Sequence, residues 1–264
     1  MTRIAVVGHV EWVDFVPVER FPHQGEVVHA PTASTRAGGG GSVAAVVLAE
    51  LGAEVDFYTA LGDDSNGRAA AAQLKGRGVR IHVAWRDQPT RRAVTLLEPS
   101  GERTIVTIGE RLEPDGTGEL DWELIRDASS VYFTAGDPGA LAHARQAPVL
   151  VASPRARTVL ETATIDALVF SENDPDESAW AERAAPHARL LVATEGARGG
   201  RWWGESEGRW RAAPLPGEPR DAYGCGDSFA AAFTLGLGRG DSIADAAALG
   251  AAAGARALTR VGAP

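Results

Sequence analysis

Two periods of hydrophobicity run through this chain. Short apolar runs rich in β-branched residues alternate with longer stretches whose apolar residues recur every three or four positions, the first reading as strands and the second as helices. Arg3-Ile-Ala-Val-Val-Gly8, closed by glycine, predicts a central strand of a parallel sheet. Val131-Tyr-Phe-Thr, Val149-Leu-Val-Ala, Ala167-Leu-Val-Phe and Leu190-Leu-Val-Ala predict further strands, with Pro- and Ala-containing connections between them. This alternation predicts an α/β fold in which a mostly parallel sheet is covered on both faces. Two segments depart from it. Arg92 to Glu98 and Glu102 to Ile108 flank Pro99-Ser-Gly101, a hairpin signal, and the polar extended stretch Glu26 to Arg36 predicts one more strand. Trp202, Trp203 and Trp210 flank Gly204-Glu-Ser-Glu-Gly208 and predict a second hairpin-like turn whose tryptophans pack an edge strand.

A chain of 264 residues can bury a large core, and no internal repeat or low-complexity linker divides it, which predicts one domain over residues 1–264. With 44% hydrophobic and 23% charged residues it has the composition of an ordinary globular protein. A net charge of -9 speaks against nucleic acid or an anionic membrane as the main partner. One cysteine excludes an internal disulfide and fits a reducing compartment. Acidic residues arrive by Glu11 and Asp14, which leaves no signal-peptide core, and the longest apolar region, Ala244 to Leu258, is interrupted by Asp245 and Arg256. The expectation is a cytoplasmic protein.

The chemistry concentrates in Asp221-Ala-Tyr-Gly-Cys-Gly-Asp227, which feeds a helix with Phe229, Phe233 and Leu237 at helical spacing. The first N–H groups of a helix lack partners and its dipole adds positive charge, so a glycine-rich entry suits an anion. An aspartate at an anion site repels a phosphate unless it has a task, such as taking a proton from an attacking hydroxyl. Gly224, Cys225 and Gly226 would hold a transferred phosphoryl group while Asp227 serves as base. The other reading is a helix capped by Asp227 after a glycine turn. A second glycine run, Gly38-Gly39-Gly40-Gly41, also opens an apolar helix but lacks the Lys-[Ser/Thr] ending of a P-loop.

The Asp221–Asp227 stretch resembles the second signature of the ribokinase/PfkB carbohydrate kinase family, roughly Asp-Thr-x-Gly-Ala-Gly-Asp, with Cys225 in the place of Ala. Gly38 to Val43 looks like the first signature, Gly-Gly-Lys-Gly-Ala-Asn in ribokinase, with Gly40 for Lys and Val43 for Asn, and Gly62-Asp-Asp follows at the family's spacing. The resemblance implies a three-layer ribokinase-like sandwich with a small β lid, its strands within about 9–36 and 90–109, closing over a sugar. It implies sugar contacts from Glu11, Trp12, Asp14, Gly38, Gly39 and Gly40, with Arg103 reaching in from the lid. Glu11 falls where ribokinases have Asn, and Val13 on their usual Asp, with Asp14 one place late. The family's Asn-x-x-Glu motif maps onto Asn173 and Asp176, implying Mg²⁺ held through water, although the same residues suit an N-cap cluster for a helix beginning near Pro175. Thr194-Glu195-Gly196-Ala-Arg-Gly199 resembles the nucleotide loop. Arg260-Val-Gly-Ala263 matches a segment that helps hold a monovalent cation such as K⁺ near Asp221.

The implied activity is ATP-dependent phosphoryl transfer to a hydroxymethyl group of a sugar or sugar-like acceptor, with a homodimer formed through the lid. Because two side chains that would contact ribose are absent, ribose itself is not implied. Two alternatives stand beside it. One is a degenerate family member that binds a metabolite or nucleotide without turnover. The other is a hydrolase using Cys225, its thiol activated by the helix N-terminus, or Ser228 as nucleophile.

Overall fold

The structure is a computed structural model that describes residues 1–117, 120–262 and 264. Strand β1 (Arg3–Val7) buries both faces: Ile4 and Val6 enter one apolar cluster, Ala5 and Val7 the other. The chain then forms β2 (Glu11–Pro17), β3 (Ser34–Gly38) and helix α1 (Gly40–Glu50), followed by β4 (Glu54–Gly62), α2 (Ser65–Gly76) and β5 (Arg80–Arg86). Next come β6 (Arg92–Leu97), β7 (Arg103–Ile108), β8 (Ser130–Phe133), α3 (Pro138–Ala144), β9 (Leu150–Ala152) and β10 (Ile165–Ser171). Helix α4 (Pro175–Ala184), β11 (Ala188–Thr194), β12 (Gly200–Gly204), β13 (Gly208–Trp210), α5 (Cys225–Arg239) and α6 (Ile243–Leu258) complete it.

The main sheet has the order β13-β12-β11-β10-β9-β8-β1-β4-β5. It is parallel from β11 to β5, with β12 and β13 added antiparallel at one edge. Helices α1, α2, α5 and α6 supply one apolar cluster, and α3 and α4 the other, so the sheet is covered on both sides. Full burial explains why these strands read as continuous apolar runs rather than alternating ones. From β1 the chain steps outward through β4 and β5, then crosses to β8 and steps the other way. The carboxyl ends of β1 and β8 therefore flank the crevice where doubly wound sheets take ligands.

A second sheet has the order β3-β2-β6-β7. The hairpin expected around Pro99-Ser-Gly101 is present: β6 and β7 pair antiparallel, and the turn is closed by the Gly101 N–H donating to Glu98 O at 3.0 Å. The strand expected over Glu26 to Arg36 is shorter and later. Pairing to β2 spans only Ser34 to Gly38 opposite Glu11 to Phe15, and among the described residues nothing upstream finds a strand partner. Register sets the faces of this sheet. Glu11, Val13 and Phe15 on β2 share one side with Arg103 on β7, because Pro17 aligns with Leu97 and Leu97 with Arg103. Trp12 and Asp14 lie on the other side.

Candidate active site

Helix α5 begins at the mouth of the crevice. Its N-cap, Gly224, has φ 71°, a left-handed conformation that costs any residue with a Cβ. Past it, the N–H groups of Gly226 and Asp227 find no partner among the described residues, while the Cys225 N–H donates to Ala222 O at 3.4 Å. A Cβ at Gly226 would meet nothing within 4 Å, so that backbone faces open space. The cradle thus consists of Gly226 and Asp227 amides more than those of Gly224 and Cys225.

A cavity of about 730 Å³ opens over this helix end, and Asp227, Gly224, Cys225, Gly226, Tyr132 and Arg155 are among its lining residues. Asp227 lies half-buried in its first turn, where the Tyr132 hydroxyl donates to Oδ1 at 3.4 Å. Burial pushes the Asp227 carboxyl above the usual aspartate range; the Arg155 guanidinium opposes that and the Glu177 carboxylate adds to it. From the other side, helix α1 presents its first residues to the same carboxylate. A Cβ on Gly40 would lie 2.7 Å from Asp227 Oδ1 and 3.3 Å from Thr134 Oγ1, so a residue larger than glycine would collide with the catalytic candidate. That explains Gly40; at Gly38 a Cβ would instead meet the Tyr223 hydroxyl at 2.5 Å and Val13 at 2.6 Å, and Gly39 takes a φ of 86°.

Along the wall formed by β9 to β11, Asn173, Thr194, Gly196 and Gly199 line the cavity. Glu195 does not; it is buried against Arg209 at 2.9 Å, Arg201 at 3.4 Å and Arg198 at 3.7 Å and braces the loop. Asp174 caps α4 by accepting from the Asp176 and Glu177 N–H groups. Asp176 is exposed outside the cavity, whereas Glu177, one residue on, is buried and lines it. Among the described residues no cluster of three His, Cys, Asp or Glu side chains is placed to hold a metal. Asn173 and Asp174 line this wall and carry oxygen donors of the kind Mg²⁺ takes.

On the side of the smaller sheet, Arg103 reaches the cavity from β7. Glu11 is buried 3.3 Å from the Arg91 guanidinium, and burial raises its pKa while Arg91 pulls it down. Asp14 accepts from Thr35 Oγ1 at 2.6 Å and Arg92 at 2.9 Å, which ties β2 to both neighbours. Trp12 packs half-buried on the face away from Glu11. Strand alternation therefore separates Trp12 and Asp14 from Glu11, and the structure does not bring the three together.

Asp221 is 1% exposed, and its two oxygens accept from the Tyr223 N–H at 2.8 Å and the Gly262 N–H at 2.7 Å. This carboxylate latches the C-terminal segment; Ala263 of the matched segment lies outside the described residues. Cys225 lines the cavity as a thiol: burial pushes its pKa up to about 11, the opposite of what a cysteine nucleophile needs. Four residues of the site carried no sequence signal: Tyr132 and Thr134 come from β8 and its carboxyl end, Arg155 from the segment after β9, and Glu177 from the first turn of α4. Trp210, expected only to pack an edge, also lines the cavity and stacks on Phe229 at 5.1 Å.

The whole chain, residues 1–264, matches the model of the pfkB family carbohydrate kinases. The chain belongs to that family. Its enzymes are phosphotransferases with an alcohol group as acceptor, and this chain is one of them. It is 31% identical to acarbose 7(IV)-phosphotransferase of an Actinoplanes species over 98% of this chain and 92% of that one. It is 28% identical to Bacillus subtilis ribokinase over 92% and 88% of the two chains. The solved structure of Arabidopsis thaliana ribokinase complexed with ribose and ATP superposes with a TM-score of 0.78 at 23% identity, over 100% of this chain and 95% of that one. No helix among the described residues is long and apolar enough to cross a membrane.

Proposed function

We propose that the enzyme transfers the terminal phosphoryl group of ATP to a hydroxymethyl group of a sugar or sugar-like acceptor, with Asp227 as general base. The observation that carries this is the placement of Asp227: a carboxylate beside free backbone N–H groups at a helix start, on the floor of an open cavity. In the transfer, the acceptor oxygen bonds to phosphorus as the bridging P–O bond breaks. The electron pair of that bond leaves on ADP, and the hydroxyl proton passes to Asp227. The Gly226 and Asp227 amides meet the negative charge of the transferred group.

Asn173, Thr194, Gly196 and Gly199 form the nucleotide side, and Glu11, Gly38 to Gly40 and Arg103 the acceptor side. The ATP-bound ribokinase neighbour supports ATP as donor. Mg²⁺ would supply charge neutralisation on the phosphates, held by them, by water and by Asn173 and Asp174 rather than by Asp176. A monovalent cation such as K⁺ would find Asp221 with one backbone N–H already on each oxygen and one lone pair left on each. The outer face of the smaller sheet carries Trp12, Val16, Val94, Leu96, Val106 and Ile108 in register, which supports pairing of two copies through it.

Asp227→Asn tests the assignment: turnover should fall by roughly 10²–10⁴-fold, the range for a positioned base, with nucleotide affinity little changed. An Asn variant as active as the parent refutes it. Release of ADP across a panel that includes ribose, hexoses and acarbose separates a kinase from a binder without turnover, since phosphorylation of any member retires the binder.

A further inference from the structure

The residue that the phosphotransfer reading leaves without a task is Arg155. It follows β9 by three positions, lines the same cavity as Asp227 and the α5 entry, and is fixed by Glu177: Arg155 Nε donates to Glu177 Oε1 at 2.6 Å. The Ser171 N–H donates to the other Glu177 oxygen at 2.9 Å, so the carboxylate is itself anchored to the end of β10. Glu177 is buried, with a side chain 10% exposed, while the Arg155 side chain stays 44% exposed. Among the described residues neither terminal nitrogen of Arg155 has a hydrogen-bond partner. The guanidinium is oriented by one edge and open at the other.

We propose that Arg155, oriented by Glu177, is the side-chain cation that binds the terminal phosphate of the bound nucleoside triphosphate opposite the α5 entry. This inference rests on the phosphotransfer reading. An arginine edge with two free N–H groups matches phosphate oxygens in the way a point charge does not. Its position also serves the base. Burial raises the Asp227 pKa and Arg155 is the largest opposing influence, while burial would lower that of Arg155 were it not for Asp227 and Glu177. As the bond from the terminal phosphorus to ADP breaks and the new bond to the acceptor oxygen forms, Arg155 stays protonated and compensates charge; the proton in motion is the acceptor's, and it goes to Asp227. Glu177 is a positioning residue.

Calorimetric titration of the full chain with ATP and with ADP, each in excess Mg²⁺, tests this without an identified acceptor. In Arg155→Met the ATP affinity should fall about 10- to 100-fold, as for loss of a charge-assisted bond to phosphate, with ADP affinity within about twofold of the parent. Arg155→Lys should recover part of the loss, and Glu177→Gln should lower ATP affinity in the same direction by less. Equal losses for ATP and ADP, or no loss for either, overturn the inference. Should Arg155→Met fail to fold, Glu177→Gln and Arg155→Lys decide by the same ATP-to-ADP comparison. Failure of the parent protein to bind either nucleotide counts against the phosphotransfer reading and the inference together; intact nucleotide binding with unselective variants sinks the inference alone.

Discussion

At the scale of the residue, Asp227 is held at odds with its own charge. Its folded pKa is raised, so its contribution to stability is present below the unfolded value near 3.9 and is lost as pH rises through the folded value. At neutral pH the ionised carboxylate therefore costs stability, and Asp227→Asn removes that cost. Scanning calorimetry should show the Asn variant melting higher than the parent at pH 7, with the gap shrinking toward pH 4. A variant that melts lower at pH 7 contradicts this. The neighbouring glycine gives an independent check. In Gly40→Ala the new methyl group would sit 2.7 Å from Asp227 Oδ1, so the carboxylate must move; turnover should drop about 100-fold, as small misplacements at a reacting centre do, while the melting temperature shifts little. Those two residues were readable from the chain because each lies in a short glycine motif. Arg155, Glu177 and Tyr132 were not, since they lie after β9, in α4 and in β8, and only folding brings them together. Asp176 and Glu177 show the limit of local spacing: one residue of helix phase decides which carboxylate faces inward.

At the scale of the element, periodicity carried most of the information. Apolar runs of four residues located β8 to β11, whose ends differ from those runs by only one or two residues, and the Phe229, Phe233, Leu237 spacing located α5. What periodicity could not supply was the extent of β3, because strand length there depends on partners in β2 rather than on its own residues. Nor could it say which side of β2 faces the cavity, since that is set by register with β6 and β7. Helix α5 is positioned by α6, which packs against it closely enough that a Cβ on Gly236 would meet Ala246 Cα at 2.8 Å. Alanine in a helix interior gains up to ~1 kcal/mol over glycine, yet a clash with backbone costs about 1–3 kcal/mol. Gly236→Ala should therefore lose about 1 kcal/mol in urea unfolding despite the better helix former, and a stabilised variant would show that α6 can move aside.

At the scale of the whole molecule, two sheets share one stretch of chain. The main sheet ends β1 at Val7, and only Gly8, His9 and Val10 precede β2 of the smaller sheet. The near end of that link is pinned by the Gly8 N–H donating to Tyr58 O at 3.1 Å, and the far end by the Trp12 N–H donating to Arg91 O at 2.9 Å. His9, buried with Nδ1 unpartnered, stands in the middle with its ring against Gly39. Glu11 is the first residue beyond it. Any rocking of the four-stranded sheet would thus act through this short link on β2 at Glu11. Glu11 on β2 and Arg103 on β7 ride on the same four-stranded sheet, so any displacement of that sheet would carry both side chains together.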